Sequence, residues 1–304
     1  MTGRAGVAWQ GIRMGIGRTV LFKLATSERL EWTVKAIPGG ERTAWRAASR
    51  YVAGRNQDQA LSTASDLLQR GISVSIDLFG ELVADPSTAD RVVADYRALA
   101  AVLPGEPARA WLSIDLTHLA LDVDAGGAAD RLAAIAGALP AGRRIQVGAE
   151  DARRTDAVLA CVLDVASRDL ADRLGATVQA NLQRSPADAD ALAAAGVHVR
   201  LVKGAYVESA GAHPYGESTD VAYLRLGFQL ASSGAAWSMA THDRRLREAL
   251  LLALGLVPVE QLLGVRTVAL DELHKRAVPT RVYVPYGADW FRYWMRRVAE
   301  SRGA

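Results

Sequence analysis

A single cysteine, Cys161, stands among the 304 residues, so no internal disulfide can form and the chain reads as one suited to a reducing, cytoplasmic setting. It sits in the apolar run from Ala157 to Val165, where a buried, structural thiol is the expected state. Long hydrophobic runs are also missing. Near the start, Arg4, Arg13, Arg18 and Lys23 interrupt the apolar residues, which excludes a transmembrane span there. No small-residue cleavage site follows a clean apolar core, which argues against a secretory signal. The amphipathic character of that segment suits a surface helix or a peripheral membrane contact. An excess of one charge is lacking as well: 36 basic residues face 33 acidic ones, a net charge of +3, and no nucleic-acid footprint follows. Finally, no Gly-x-Gly-x-x-Gly follows a candidate strand, which weakens a dinucleotide-binding fold.

What is present is a core-forming composition. Half the residues are apolar and 23% are charged, which fits one large folded domain. From residue 57 onward, short apolar runs alternate with longer helical patterns. The strand candidates are Ile72–Leu78, Ala110–Leu116, Arg144–Ala149, Ala176–Ala180, Val197–Val202, Ala236–Ala240, Val259–Leu263 and Arg281–Val284. Helices are expected over Gln57–Arg70, Ala89–Val102, Thr155–Ser167, Pro186–Ala195, Asp220–Ala231, Arg244–Leu254 and Val268–Arg276, with Ser185 and Asp243 as N-caps. Eight strands alternating with helices predict a (β/α)8 barrel over residues 57–304. Residues 1–56 carry no strand pattern and read as an N-terminal helical appendage with a loop at Pro38-Gly39-Gly40.

In such a barrel the carboxyl ends of the strands form the active-site rim. That rim collects Asp77, Glu81, Asp115, Glu150, Asp151, Gln179, Asn181, Arg200, Lys203, Thr241, His242, Asp243 and Tyr283. Composition leaves two chemistries open: a divalent-metal hydrolase using Asp77, Asp115, Glu150 and His242, or an enzyme with an anionic cofactor. Arg200 and Lys203 beside Gly204 suit a phosphate, although such bases can equally pair with neighbouring carboxylates. Near the C-terminus, Tyr293 lies three and four residues before Arg296 and Arg297, so ring and guanidinium groups share a helix face.

Several motifs occur in an order that resembles the proline dehydrogenase family. They are Asp77-Leu-Phe-Gly-Glu81, Val178-Gln-Ala-Asn181, Arg200-Leu-Val-Lys-Gly-Ala-Tyr206, Ala240-Thr-His-Asp243, Tyr283-Val-Pro-Tyr-Gly287 and Tyr293-Trp-Met-Arg-Arg-Val-Ala-Glu300. The resemblance implies a distorted TIM barrel with its last helix over the mouth, non-covalent FAD, and oxidation of the carbon-nitrogen bond of proline or a modified cyclic amino acid to an imine. It implies flavin contacts at Arg200, Lys203, Gly204, Ala205, Gln179, Thr241 and His242. Tyr206, Tyr283, Tyr293, Arg296, Arg297 and Glu300 match substrate-pocket positions, and the electrons would pass to a membrane quinone. The chain departs from the family where a lysine normally ends the second strand and an aspartate partners it: it has Asp115 in Leu112-Ser-Ile-Asp115 and Gly148 in Val147-Gly-Ala-Glu-Asp151. Replacing a cation by an anion near a bound carboxylate disfavours plain proline and suggests that Asp115 faces a second nitrogen or a hydroxyl. A barrel that binds flavin without turnover is the other reading of this loss.

Overall fold

The computed structural model describes residues 28–206 and 208–301. The amphipathic N-terminal segment, on which the peripheral membrane expectation rests, lies outside them. Two short helices come first, α1 (Glu28–Ala36) and α2 (Gly40–Ala48). They are joined through Gly39 at φ 75°, a left-handed conformation that glycine adopts without steric cost. Helix α3 (Gln57–Gln69) follows, its first turn capped by Asn56, whose side chain accepts from Gln59 N.

Eight parallel strands then close into a barrel in sequence order: β1 (Ser73–Leu78), β2 (Ala110–Ile114), β3 (Ile145–Val147), β4 (Leu174–Gln179), β5 (His198–Val202), β6 (Trp237–Ala240), β7 (Val259–Leu262) and β8 (Thr280–Tyr286). Between them run α4 (Pro86–Ala101), α5 (Ala125–Ala138), α6 (Thr155–Val165), α7 (Ser185–Ala194), α8 (Glu217–Ser233), α9 (Arg244–Leu254) and α10 (Thr267–Lys275). The strand sequences explain this arrangement by their parity. Val74, Ile76, Leu112, Ile114, Ile145 and Val147 are buried on the side covered by helices. Ser75, Asp77, Ser113, Gln146 and Ser238 occupy the opposite parity, buried inside the barrel.

The barrel is irregular where it closes. α11 (Trp290–Ser301) follows β8 but does not flank it; α3 packs on β8 and β1 in its place. α11 instead joins α2 in a small separate core of Ala44, Ala48, Val52, Phe79, Trp290, Phe291 and Tyr293. Phe79 directly follows β1, so this core roofs the carboxyl-end rim.

All eight expected strands exist, with ends that differ by up to two residues. Asp243 caps α9 as expected, accepting from Arg245 N and Leu246 N. Ser185 does not cap α7: its hydroxyl donates to Gln179 O at 2.5 Å, and Arg184 holds the cap position without a side-chain bond. The helix expected to Ser167 ends at Val165, because a wider turn over Ala166–Leu170 carries Asp169 at φ 61°. α5 was not expected; its alanine- and glycine-rich sequence has little polar contrast to mark a face. No helix among the described residues is long and apolar enough to cross a membrane.

Candidate active site

The rim is built outward from the β8–β1–β2 seam. Asp77, the last inward position of β1 before Leu78, is buried with 3% of its surface exposed. It accepts from the hydroxyl of Tyr283 on β8 and lies 3.0 Å from the Tyr96 hydroxyl on α4. Burial outweighs these two donors and raises the Asp77 carboxyl to about 6. Asp115, immediately after β2, is pushed well above the carboxylate range, first by burial and then by the charges of Glu150 and Asp77. Its carboxylate leans over β3, where a Cβ at Gly148 would overlap Asp115 Oδ1. Glu150 is buried and accepts from the Thr117 hydroxyl at 2.7 Å.

α11 brings cations over these carboxylates. Arg296 pairs with Glu81, and its guanidinium carbon lies 5.7 Å from the Phe79 ring centroid. Burial opposes its charge, but Glu81, Tyr206 and Asp115 together hold its pKa above the ordinary arginine value. Arg297 stacks over the Tyr293 ring at 5.1 Å, and Tyr293 in turn sits 6.0 Å from Tyr283 and 5.2 Å from Phe79, ring centre to ring centre. Tyr206, in the loop after β5, reaches across to Ala149 O at 3.4 Å. Six of the residues expected in a substrate pocket, Tyr206, Tyr283, Tyr293, Arg296, Arg297 and Asp115, thus stand around the mouth. Glu300 lies on α11, but its side chain is outside the described residues.

The residues expected to hold a cofactor line the ends of β4, β5 and β6. Gln179 donates to Glu150 O at 2.8 Å. Arg200 donates to the Thr177 hydroxyl at 3.0 Å and lies 3.7 Å from Glu260. Lys203 Nζ is 2.5 Å from Asp220 and 3.6 Å from Asp243. Both bases therefore have carboxylate partners, and an anion bound here must share them. Gly204 and Ala205 follow, with Gly204 at φ 104° and so close to Asn181 that a Cβ would overlap its Oδ1. The Thr241 hydroxyl accepts from Asp243 N at 3.0 Å.

His242 offers the clearest fit for a bound group. Its Nε2 accepts from Leu262 N at 3.4 Å, and burial, then Arg266 and Arg297, lower its pKa to about 4. The neutral ring must then carry its proton on Nδ1, which is buried and has no partner among the described residues. A buried donor left unsatisfied costs roughly 1–3 kcal/mol, so an acceptor atom from a bound group fits this place. Nothing in that requirement conflicts with the oxygens and nitrogens of a flavin nucleotide.

Sequence reading missed three supports of this site. Tyr96 holds Asp77 from the middle of an amphipathic helix, where nothing distinguishes it from a core tyrosine. Thr117 anchors Glu150. Glu260, buried in β7, accepts from the Ser238 hydroxyl at 2.6 Å and faces Arg200; a carboxylate inside the apolar run Val259–Leu263 was the available signal. No group of three or more His, Cys, Asp or Glu side chains among the described residues converges as a metal site requires. Asp77, Asp115, Glu150 and His242 consequently do not assemble into the hydrolase centre that composition left open.

With this geometry in hand, comparisons with known proteins are specific. The family model described as Proline dehydrogenase matches residues 60–304. Proline dehydrogenase of Deinococcus radiodurans is 31% identical over 271 residues, covering 84% of this chain and 87% of the relative. Proline dehydrogenase 1 of Bacillus subtilis strain 168 is 32% identical over 262 residues, covering 83% and 86%. Among solved structures, proline utilization A from Bdellovibrio bacteriovorus, inactivated by N-propargylglycine, superposes with a TM-score of 0.80 at 17% identity. That match covers 96% of this chain but 37% of the other, and it bears on the fold alone.

Proposed function

The chain belongs to the proline dehydrogenase family and is an amino-acid dehydrogenase, and on that premise we propose that FAD accepts the electrons as proline or a proline-like cyclic amino acid is oxidised. The observation that carries the reading is the position of Arg296: a permanently charged fork, restrained by Glu81 and bordered by Tyr206 and Phe79, turned into a mouth otherwise rich in carboxylates. A planar two-donor group suits a substrate carboxylate. Arg297 is its neighbour in this role, and Glu300 one turn further along α11 completes the expected set.

Each remaining group has a physical task. Tyr283 and Tyr293 offer apolar faces to the substrate ring and exclude water, and Asp77 holds the Tyr283 hydroxyl so that the ring cannot swing away. Tyr206 closes the opposite side. Arg200, Lys203, Gly204, Ala205, Gln179, Thr241 and His242 would hold the flavin nucleotide, with the orphaned His242 Nδ1 donating to it. When bound, the flavin supplies a two-electron acceptor. In the overall step the substrate nitrogen gives up its proton, the adjacent carbon loses a hydrogen with its electron pair, and the carbon-nitrogen bond becomes the double bond of an imine. The protein's contribution is chiefly orientation: with the carboxylate pinned, the reacting carbon has one way to face the acceptor. We further propose a quinone as the eventual electron acceptor and the cytoplasm as the setting, with peripheral membrane contact through the N-terminal segment.

The test is direct. Purified, flavin-loaded protein mixed anaerobically with proline and related cyclic amino acids should lose its visible flavin absorption. Undiminished colour across the whole panel would instead favour a barrel that binds flavin without turnover.

A further inference from the structure

We propose that Asp115 determines substrate specificity, and that it selects a cyclic amino acid bearing a second amine on its ring. The proposal rests on the pocket described above and deepens that reading.

Four carboxylates crowd this side of the mouth, and three of them are satisfied. Asp77 is held by the hydroxyls of Tyr283 and Tyr96. Glu150 accepts from the backbone and hydroxyl of Thr117, at 3.3 and 2.7 Å. Glu81 has Arg296. Asp115 differs from all three: among the described residues nothing donates a hydrogen bond to its carboxylate, and the residue is half-buried. The charges of Glu150, Asp77 and Glu81 act to raise its pKa, and that of Arg296 acts to lower it. The one cation of the set is already engaged by Glu81.

The position of Asp115 is accommodated by β3. Gly148, the residue after β3, has no side chain, and the space a Cβ would occupy is taken by Asp115 Oδ1. Two neighbouring strand ends are therefore matched to each other: one supplies a carboxylate and the other the room for it. Burial and two like charges favour the neutral acid at Asp115, and a cationic donor placed beside it would hold it ionised.

The reacting nitrogen of a simple cyclic amino acid cannot be that donor throughout the reaction, since it must lose its proton before its neighbouring carbon is oxidised. A second amine takes no part in the oxidation and keeps its proton. It supplies Asp115 with both a hydrogen bond and a counter-charge, whereas a ring hydroxyl supplies the bond alone. Plain proline, once its nitrogen is neutral, retains a single weak N–H donor at the reacting atom and no charge.

Initial rates on proline, 4-hydroxyproline and both epimers of 4-aminoproline, with an artificial electron acceptor, separate the possibilities. One epimer of 4-aminoproline should exceed proline and 4-hydroxyproline in kcat/KM by about tenfold or more, the scale of a charged hydrogen bond. In Asp115→Asn the ratio of aminoproline to proline should fall to near unity. Gly148→Ala keeps the charge but displaces the carboxylate, and should lower the same ratio; using a ratio removes general losses of folding or flavin content. Equal or better use of proline by the wild-type protein, or a preference that survives Asp115→Asn, would overturn the proposal. Flavin reduced by proline without any aminoproline preference defeats this inference alone. Flavin reduced by none of the compounds defeats the dehydrogenase reading with it.

Discussion

The Tyr283 hydroxyl donates to Asp77 across the seam where β8 closes against β1, so the ring proposed to face the substrate is anchored by a buried acid at the join of the barrel. Burial raises that acid to about 6 from an ordinary value of 3.8. The folded chain then holds the Asp77 proton more tightly than the unfolded chain, and this contribution to stability is present at low pH and lost as pH rises from about 4 to about 6. A shift of this size corresponds to roughly 3 kcal/mol. Asp77→Asn removes it. Urea unfolding should show the variant gaining on the wild type between pH 4 and pH 7 by up to that amount. A difference that stays flat with pH would mean that the two tyrosines already hold Asp77 ionised.

Arg296 and Glu81 lead to a kinetic expectation. Arg296→Met removes the cation expected to bind the substrate carboxylate, and kcat/KM should drop on the order of a hundredfold, mostly through KM. Glu81→Gln leaves the guanidinium in place but loosely held. It should cost less and weaken orientation, so the loss falls more on kcat. Equal and small effects in both variants would remove Arg296 from the substrate site.

The barrel was legible because its strands are short apolar runs and its inter-strand segments have helical period; the eight-fold alternation survives errors of a few residues at each end. The rim was legible for the same reason, since a polar residue at the end of an apolar run has few other places to go. What the sequence could not give was pairing. Nothing along the chain connects Asp77 with Tyr96 or Thr117 with Glu150, because those contacts depend on how far α4 and the turn after β2 tilt over the strands. Arg200 and Lys203 show the same limit: their spacing suits a phosphate, and folding also brings Glu260, Asp220 and Asp243 to them. α5 was invisible because alanine and glycine carry little signal of which face is buried.

Cys161 tests the interior. Burial, followed by the charge of Asp164, pushes its thiol up to about 12, and in the folded protein almost no thiolate exists at neutral pH. A colorimetric disulfide reagent should leave native protein unmodified and label one thiol per chain after unfolding. Cys161→Ser places a hydroxyl among Val158, Val162 and Val165 and should lower stability by about 1–3 kcal/mol, with kcat unchanged. Rapid labelling of native protein would show that α6 opens readily.

The last expectation concerns the buried proton on His242. Because Nε2 is committed to Leu262 N, only Nδ1 can serve a ligand, and it is the nitrogen nearest the backbone. The side-chain amide of asparagine extends about as far as Nδ1, whereas phenylalanine fills the ring volume with no donor. His242→Asn should therefore keep more flavin through purification than His242→Phe, with affinity for FAD falling about tenfold in the latter, the usual scale for one lost hydrogen bond to a buried acceptor. The flavin-free proteins should differ less: His242→Phe removes an unsatisfied buried donor but also the acceptor of Leu262 N, so its stability should stay close to that of the wild type. Flavin content, read from visible absorbance, and thermal unfolding of the stripped proteins measure the two effects separately. If His242→Phe retained flavin in full, Nδ1 would not be a cofactor contact, and the strand ends of β4 and β5 alone would have to hold the nucleotide.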